Sequence, residues 1–333
     1  MKGRLFIRTE ASNAIGMGHF MRCFAVAEEA RARGVEVRFL MSAISDAVAA
    51  RCRRIGATVR ATGTQPGEDA AVVAAGLSPD DWLLVDSYAA TADYVAALHK
   101  ATRVAVIDDL AAFKTYDCDL IVNPAQSASH STYRAASKAK LLLGAAHALI
   151  RREFRHPPHP PSSGPSVGVM FGGSDPRRLT GGCAALLRAA LPGVTLKLIA
   201  GPAHIHTDEL RALSESDPYA ELHVDPPSVA GILAGCDLVL TAAGGSVGEM
   251  AAMGLAALVL VVYDNQKAAL EQCPFPVIDA RTELPADLGA RARALMDDPA
   301  RRRAMAAAAH KIVDGKGAER VVEALFPGKT CDA

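Results

Sequence analysis

Short runs of apolar residues alternate along the chain with longer stretches in which apolar positions recur every three to four residues. Leu5-Phe6-Ile7 reads as a strand. His19 to Arg33 reads as a helix, with Gly34 placed to end it. Val35 to Met41 is the next strand, and Ser45 to Ile55 a helix again followed by glycine, Gly56. The runs Trp82 to Asp86 and Val104 to Asp108 each end in aspartate, and Leu120 to Asn123 and Leu141 to Gly144 follow. Strands that are apolar throughout and separated by helices imply a parallel sheet covered on both faces.

The pattern breaks at Arg155 to Ser166, where five of twelve residues are proline. Proline removes backbone donors and holds the chain extended, so this stretch reads as a linker. A second alternation begins beyond it. Val167 to Phe171, Val194 to Ile199, Glu221 to Val224, Asp237 to Thr241 and Ala256 to Val262 read as strands. Arg177 to Leu191 is a helix, and helices dominate from about Asp287 onward, one of them opened by the capping pair Asp298-Pro299. The expected organisation is an N-terminal domain over 1–156, a linker over 157–166 and a C-terminal domain over 167–333. Both domains are expected to be α/β, doubly wound and Rossmann-like, facing a central cleft at the C-terminal ends of their strands.

Composition narrows the function classes. With 333 residues the chain can bury two cores, and an apolar fraction of one half excludes a disordered polymer. Lys+Arg and Asp+Glu both number 36, so the net charge is zero. That excludes a general nucleic-acid partner, which needs a basic face to displace counterions, but leaves room for a small anion held by a few donors. The apolar stretch Leu255 to Tyr263 is shorter than the roughly 20 residues a bilayer span requires, so no stable membrane insertion is expected. Met1-Lys2-Gly3-Arg4 runs straight into a strand without a signal-peptide core. Seven scattered cysteines with no C-x-x-C pair fit reduced thiols, and the expected location is cytoplasmic.

Four loops carry candidate chemistry. Gly16-Met17-Gly18-His19 joins the first strand to the first helix, so the backbone can turn tightly and His19 sits at a helix start, where a neutral imidazole can accept a proton. Arg22 lies one turn further on, either facing the ligand or bridging to a neighbour. Phe171-Gly172-Gly173-Ser174-Asp175-Pro176 offers backbone N–H groups to a phosphate at a helix start, with Asp175-Pro176 as a capping pair in the alternative reading. Thr241 to Glu249 contains Gly244-Gly245-Ser246 and a second anion-ready helix start. Ser246 and Glu249 have the spacing of a capping box, while Glu249 could instead accept from ribose hydroxyls. Tyr263-Asp264-Asn265-Gln266 follows a buried strand. Asp86-Ser87-Tyr88 ends another, and Asp108-Asp109 reads as a cap or loop brace. His204 and His206 form an H-x-H in a loop without a third ligand in view, which reads as surface.

In this order the loops resemble the two-domain GT-B sugar-nucleotide enzymes, which include the lipid-linked muramyl-pentapeptide N-acetylglucosaminyltransferase. They resemble more closely the UDP-2,4-diacetamido-2,4,6-trideoxy-β-L-altropyranose hydrolase family of pseudaminic acid biosynthesis. The resemblance runs through Ile15 to Cys23, Val85 to Tyr88, Ile107 to Leu110, Asp119 to Asn123, Ala148 to Phe154, Phe171 to Asp175, Thr241 to Glu249 and Asn265-Gln266. It implies a GT-B fold and inverting hydrolysis of a UDP-sugar by water, with no metal or cofactor. It further implies His19 as general base, in a loop where Gly16, Gly18 and Arg22 approach the substrate. Tyr88 and Asn265 would lie near the sugar, with Gln266 beside them, and Glu249 at the nucleotide. Gly172, Gly173, Ser174 and Asp175, with Gly245 and Ser246, would hold the UDP phosphates. The sequence departs from the family pattern after Gln266, where Lys267 to Ala280 contains Cys273-Pro274-Phe275-Pro276. A GT-B glycosyltransferase with a hydroxyl acceptor, or a UDP-sugar binder without catalysis, would share the same loops.

Overall fold

A computed structural model describes residues 3–12, 16–125, 128–134, 136–155 and 164–329. Ile15, most of the expected linker (157–163) and Cys331 lie outside the described residues. The chain divides into two units, Met1–Arg152 with Lys316–Ala333, and Glu153–Gly315.

The first unit holds seven strands: β1 (Leu5–Thr9), β2 (Val37–Met41), β3 (Thr58–Ala61), β4 (Trp82–Asp86), β5 (Arg103–Ile107), β6 (Leu120–Asn123) and β7 (Lys140–Leu143). They pair in the order β3-β2-β1-β4-β5-β6-β7, all parallel. Successive residues feed opposite faces. Leu5, Ile7, Leu84, Ala105 and Ile107 enter one core, and Phe6, Leu83, Val85, Val104 and Val106 the other. Burial on both faces is why the central strands β1, β4 and β5 read as unbroken apolar runs rather than alternating ones. β1 runs two residues past the expected Leu5–Ile7, because Arg8 is taken into the interior. There its guanidinium meets Asp69, Glu10 and the carbonyls of Thr9, Leu40 and Thr64.

The second unit repeats the plan with six parallel strands: β8 (Ser166–Met170), β9 (Thr195–Ala200), β10 (Ala220–Val224), β11 (Leu238–Ala242), β12 (Ala257–Val261) and β13 (Val277–Asp279). Their order is β10-β9-β8-β11-β12-β13. In both sheets the strand order therefore reverses beside the first strand, between β1 and β4 and between β8 and β11. Each unit also carries its own clamp at the opposite end of that strand pair. The Arg4 amide donates to Asp81 Oδ1 at 2.9 Å just before β4, and the Ser166 amide donates to Asp237 Oδ2 at 3.0 Å just before β11.

The last helix changes the expected domain limits. Gly317–Leu325 was expected to belong with 167–333, but Val321, Val322, Leu325 and Phe326 are buried in the core of the first unit. Ser166, expected in the linker, opens β8. Beyond Gln266, the departure from the family pattern becomes a four-residue helix, Ala269–Gln272, then a buried Phe275 and the edge strand β13.

Candidate active site

In open α/β sheets, ligands bind beyond the strand C-termini where the strand order reverses. In the first unit that point lies between β1 and β4, whose last residues, Thr9 and Asp86, are register partners. The chain returns after β1 through Gly16, which turns at φ +77°, and enters the helix Gly18–Ala32 with His19 as its second residue. His19, Arg22 and Cys23 are three and four residues apart and so share one helical face. That face meets the end of β4.

Asp86 is fully buried and collects the donors of this face. His19 Nδ1 lies 2.8 Å from Oδ1. Arg22 forks onto both oxygens, Nη2 to Oδ1 at 2.6 Å and Nε to Oδ2 at 2.7 Å. The Cys23 thiol donates to Oδ2 at 3.4 Å. Burial pushes the Asp86 carboxyl up, but the Arg22 charge and the hydrogen bonds from Arg22 and His19 outweigh it and hold the pKa below the usual carboxylate range. Burial also works against the Arg22 charge. Asp86 and then Asp109 overcome it and raise the guanidinium pKa well above its ordinary value. The Cys23 thiol is pushed well up by burial and stays protonated.

An ionised Asp86 can only accept, so Nδ1 must carry the proton it gives to Asp86. The Arg22 Nη2 contact to Nδ1 at 3.1 Å is then a close approach of two donors, and Nε2 is the ring's acceptor. Tyr88 stands edge-on to the imidazole, with ring centroids 4.5 Å apart and planes at 86°. Its hydroxyl donates to Asp109 Oδ2 at 3.2 Å, an oxygen that also accepts from Arg22 Nη1 at 2.7 Å. Of the residues expected here, His19, Arg22 and Tyr88 form one constellation with Gly16 and Gly18 at its entry. Asp86 and Asp109 were missed as its charge partners. The available signal was an aspartate ending β4 at the reversal point and a second one just past the neighbouring strand β5.

The second unit presents its loops at its own reversal point. After β8 the chain passes Gly172, at φ +85°, Gly173 and Ser174. Asp175 then turns inward, and its oxygens accept from the amides of Leu179 at 2.9 Å and Thr180 at 2.8 Å. This carboxylate closes the start of the helix Leu179–Ala190, so the capacity of this loop for an anion rests on the backbone of Gly172 to Ser174 and not on that helix end. Arg177, not expected at the site, ties the loop to the end of β12 through the Val262 carbonyl at 2.6 Å. His204 is not a surface residue. It is buried with its Nε2 3.5 Å from Asp175, and the next amide, Ile205, donates to the Ser174 carbonyl at 3.4 Å.

After β11 the helix Gly245–Met253 begins with no side-chain cap, Gly244 standing at the cap position. The capping-box reading therefore fails, because Ser246 is already inside the helix and its hydroxyl faces Thr241 at 2.8 Å. The amides of Gly245 and Ser246 open the helix, and a helix start of this kind suits an anion. Glu249 follows one turn later, half-buried. Gln266 turns its side-chain carbonyl back to the Val262 amide at 2.9 Å and so fixes the turn after β12. Asn265 is exposed on that turn, and Asp264 pairs with Arg281 at 2.8 Å.

No protein-family model matches the sequence, and no curated protein does. Solved structures match it along its whole length. The glycosyltransferase of kitacinnamycin aligns with 98% of this chain and 99% of its own, at 16% identity and a TM-score of 0.63. Acinetobacter baumannii MurG covers 97% and 99%, at 14% identity and 0.62. Anabaena HepE, solved in complex with UDP, covers 97% and 99%, at 14% identity and 0.60. The fold is GT-B. At such identities the likeness carries the architecture, and the chemistry has to be argued from the side chains. Among the described residues, no group of His, Cys, Asp and Glu has metal-binding geometry, and no helix is long and apolar enough to cross a membrane.

Proposed function

We propose that this protein acts on a UDP-activated sugar and that His19 is the general base for displacement of UDP from the anomeric carbon. The observation that carries the reading is the commitment of His19 Nδ1 to Asp86, which leaves Nε2 as the proton acceptor of a ring that Tyr88 meets edge-on. Nε2 takes a proton from the nucleophile as its oxygen bonds to the anomeric carbon. The bond from that carbon to the UDP oxygen breaks, its electron pair leaves with UDP, and the configuration inverts. General-base assistance of this kind contributes roughly 10²–10⁴-fold. The imidazolium formed is paired with the Asp86 carboxylate. In the second unit, the backbone of Gly172 to Ser174 and the amides of Gly245 and Ser246 would receive the diphosphate, Glu249 the ribose and Asn265 the sugar. These fixed dipoles favour the charge that grows on the leaving group.

For the nucleophile we propose water, and for the sugar a diacetamido-trideoxy hexose of the UDP-2,4-diacetamido-2,4,6-trideoxy-β-L-altropyranose type. This rests on the ordered resemblance from Ile15 to Gln266. Transfer to a hydroxyl acceptor is the second reading, and it has its own support: the neighbours of the same fold include glycosyltransferases. One experiment separates the two. The protein is incubated with UDP-sugars and no acceptor, in ¹⁸O-labelled water. Free sugar carrying the label and unlabelled UDP support hydrolysis. UDP release that appears only when an acceptor is added supports transfer, and label in UDP overturns attack at carbon. His19→Asn is expected to abolish turnover and to keep UDP affinity within about twofold by calorimetry, because His19 and the diphosphate loops lie in different units. Turnover near wild type in this variant removes the base assignment.

A further inference from the structure

Asp109 lies two residues beyond β5, on a loop that is itself tightly braced. The Asp108 carboxylate accepts from the Tyr116 hydroxyl and from the Leu110 amide, the latter at 3.1 Å. The Asp108 carbonyl accepts from Tyr133 at 2.9 Å, and Tyr133 is fixed in turn by Asn123 at 2.8 Å. The reading of Asp108-Asp109 as a brace thus describes Asp108. Asp109 points elsewhere, with Oδ2 accepting from both Arg22 and Tyr88. Its Oδ1 is buried and has no hydrogen-bond partner among the described residues. A buried, unpaired carboxylate oxygen is costly, and native proteins keep few of them outside functional loops.

The contacts close into a ring: His19 to Asp86, Asp86 to Arg22, Arg22 to Asp109, Asp109 to Tyr88, and Tyr88 back to His19. Tyr88 is 58% exposed, so it lacks the packing that ordinarily fixes an aromatic side chain. Its bond to Asp109 and its edge against His19 hold it in place. Arg22, shared between two carboxylates, cannot turn toward either without releasing the other.

We propose that Asp109 is a positioning residue: it holds Tyr88 across the His19 imidazole and completes the pairing of Arg22. The wall beside the imidazole then has one geometry when the substrate arrives. This deepens the UDP-sugar reading and rests on it. Misplacing a group that lines the reacting centre by about 1 Å costs on the order of 100-fold in rate.

The test compares wild type with Asp109→Ala, Tyr88→Phe and the double variant. It reads the nuclear Overhauser effect between the His19 and Tyr88 ring protons, UDP affinity, kcat and KM on UDP-sugar, and the melting temperature. In Asp109→Ala the ring-to-ring signal is expected to vanish while UDP affinity stays within about twofold and kcat falls roughly 10- to 100-fold. The double variant should be no slower than the worse single one, since both break the same link. Asp109→Asn, which keeps an acceptor for Tyr88 without the charge, should retain the ring signal and lie between, and it serves where the alanine variant does not fold. An unchanged ring signal in Asp109→Ala, or losses that multiply in the double variant, overturns the proposal. If wild type turns over no UDP-sugar, the functional reading falls, and the ring signal alone decides the positioning role.

Discussion

Asp86 has four donors on two buried oxygens, and each of its partners depends on its charge. Asp86→Asn keeps the volume and loses the obligatory acceptor. The amide introduced there can turn its NH₂ toward Nδ1, which moves the imidazole proton to Nε2 and takes away the nitrogen assigned as base. The expected outcome is a loss of kcat of roughly 10²–10⁴-fold with UDP affinity retained. Steady-state kinetics beside calorimetry check it, and a variant with normal kcat would show that Asp86 only packs. His19 was legible in the sequence because a Gly-x-Gly-His loop after a strand is a local signal. Asp86 was visible as a strand end and nothing more. Its role depends on β1 and β4 being neighbours, which brings Asp86 to His19, 67 residues away in sequence. The choice for Asp175 between the phosphates and a helix cap turned on a similar point, since geometry is what shows its oxygens on the Leu179 and Thr180 amides.

At the scale of elements, β1 and β4 are pinned at both ends, chemistry at one and structure at the other. Asp81, nearly fully buried just before β4, accepts from the Arg4 amide, from Arg4 Nη2 at 2.7 Å and from the Ser78 amide at 2.9 Å. Burial pushes its carboxyl up, but the Arg4 and Ser78 hydrogen bonds prevail and hold the pKa at about 2. A depressed carboxylate stabilises the fold above its unfolded pKa, about 3.9, and that contribution fades as pH falls through the folded value. It amounts to roughly 2–3 kcal/mol at neutral pH. Urea midpoints should therefore fall for wild type between about pH 4 and pH 2, and Asp81→Asn should start lower and fall less. Parallel pH slopes for the two would show the clamp to be inert. The strands of this pair were readable from their apolar runs. β3 was not: Thr58–Ala61 is a largely exposed edge strand with no core-facing run to announce it. β13, three residues long and preceded by prolines, was hidden for the same reason.

On the scale of the whole chain, the path leaves the first unit at Arg152, builds the second and returns at Lys316. The apolar face of Gly317–Leu325 predicts a buried helix from sequence alone but not which core receives it, so the proline-rich stretch suggested a single crossing. The return is fixed by side chains and by one close backbone approach. Arg320 Nη1 donates to the Ala146 carbonyl at 2.6 Å, and Arg33 Nη1 to the Glu319 carbonyl at 3.2 Å. Gly317 lies so near His147 and Ala148 that a Cβ there would overlap their backbone. Backbone cannot rotate aside as a long side chain can, so Gly317→Ala must lift the helix start, at a cost of roughly 1–3 kcal/mol. The loosened helix draws Val321, Val322 and Leu325 from the same core that carries Phe20 and Phe24 of the His19 helix. Hydrogen exchange read by mass spectrometry should then rise in peptides spanning β1, β2 and Gly18–Ala32, while those spanning β8 and β11 keep wild-type rates. Faster exchange confined to Glu153–Gly315 would place the helix with the second unit instead, as the proline-rich boundary first implied.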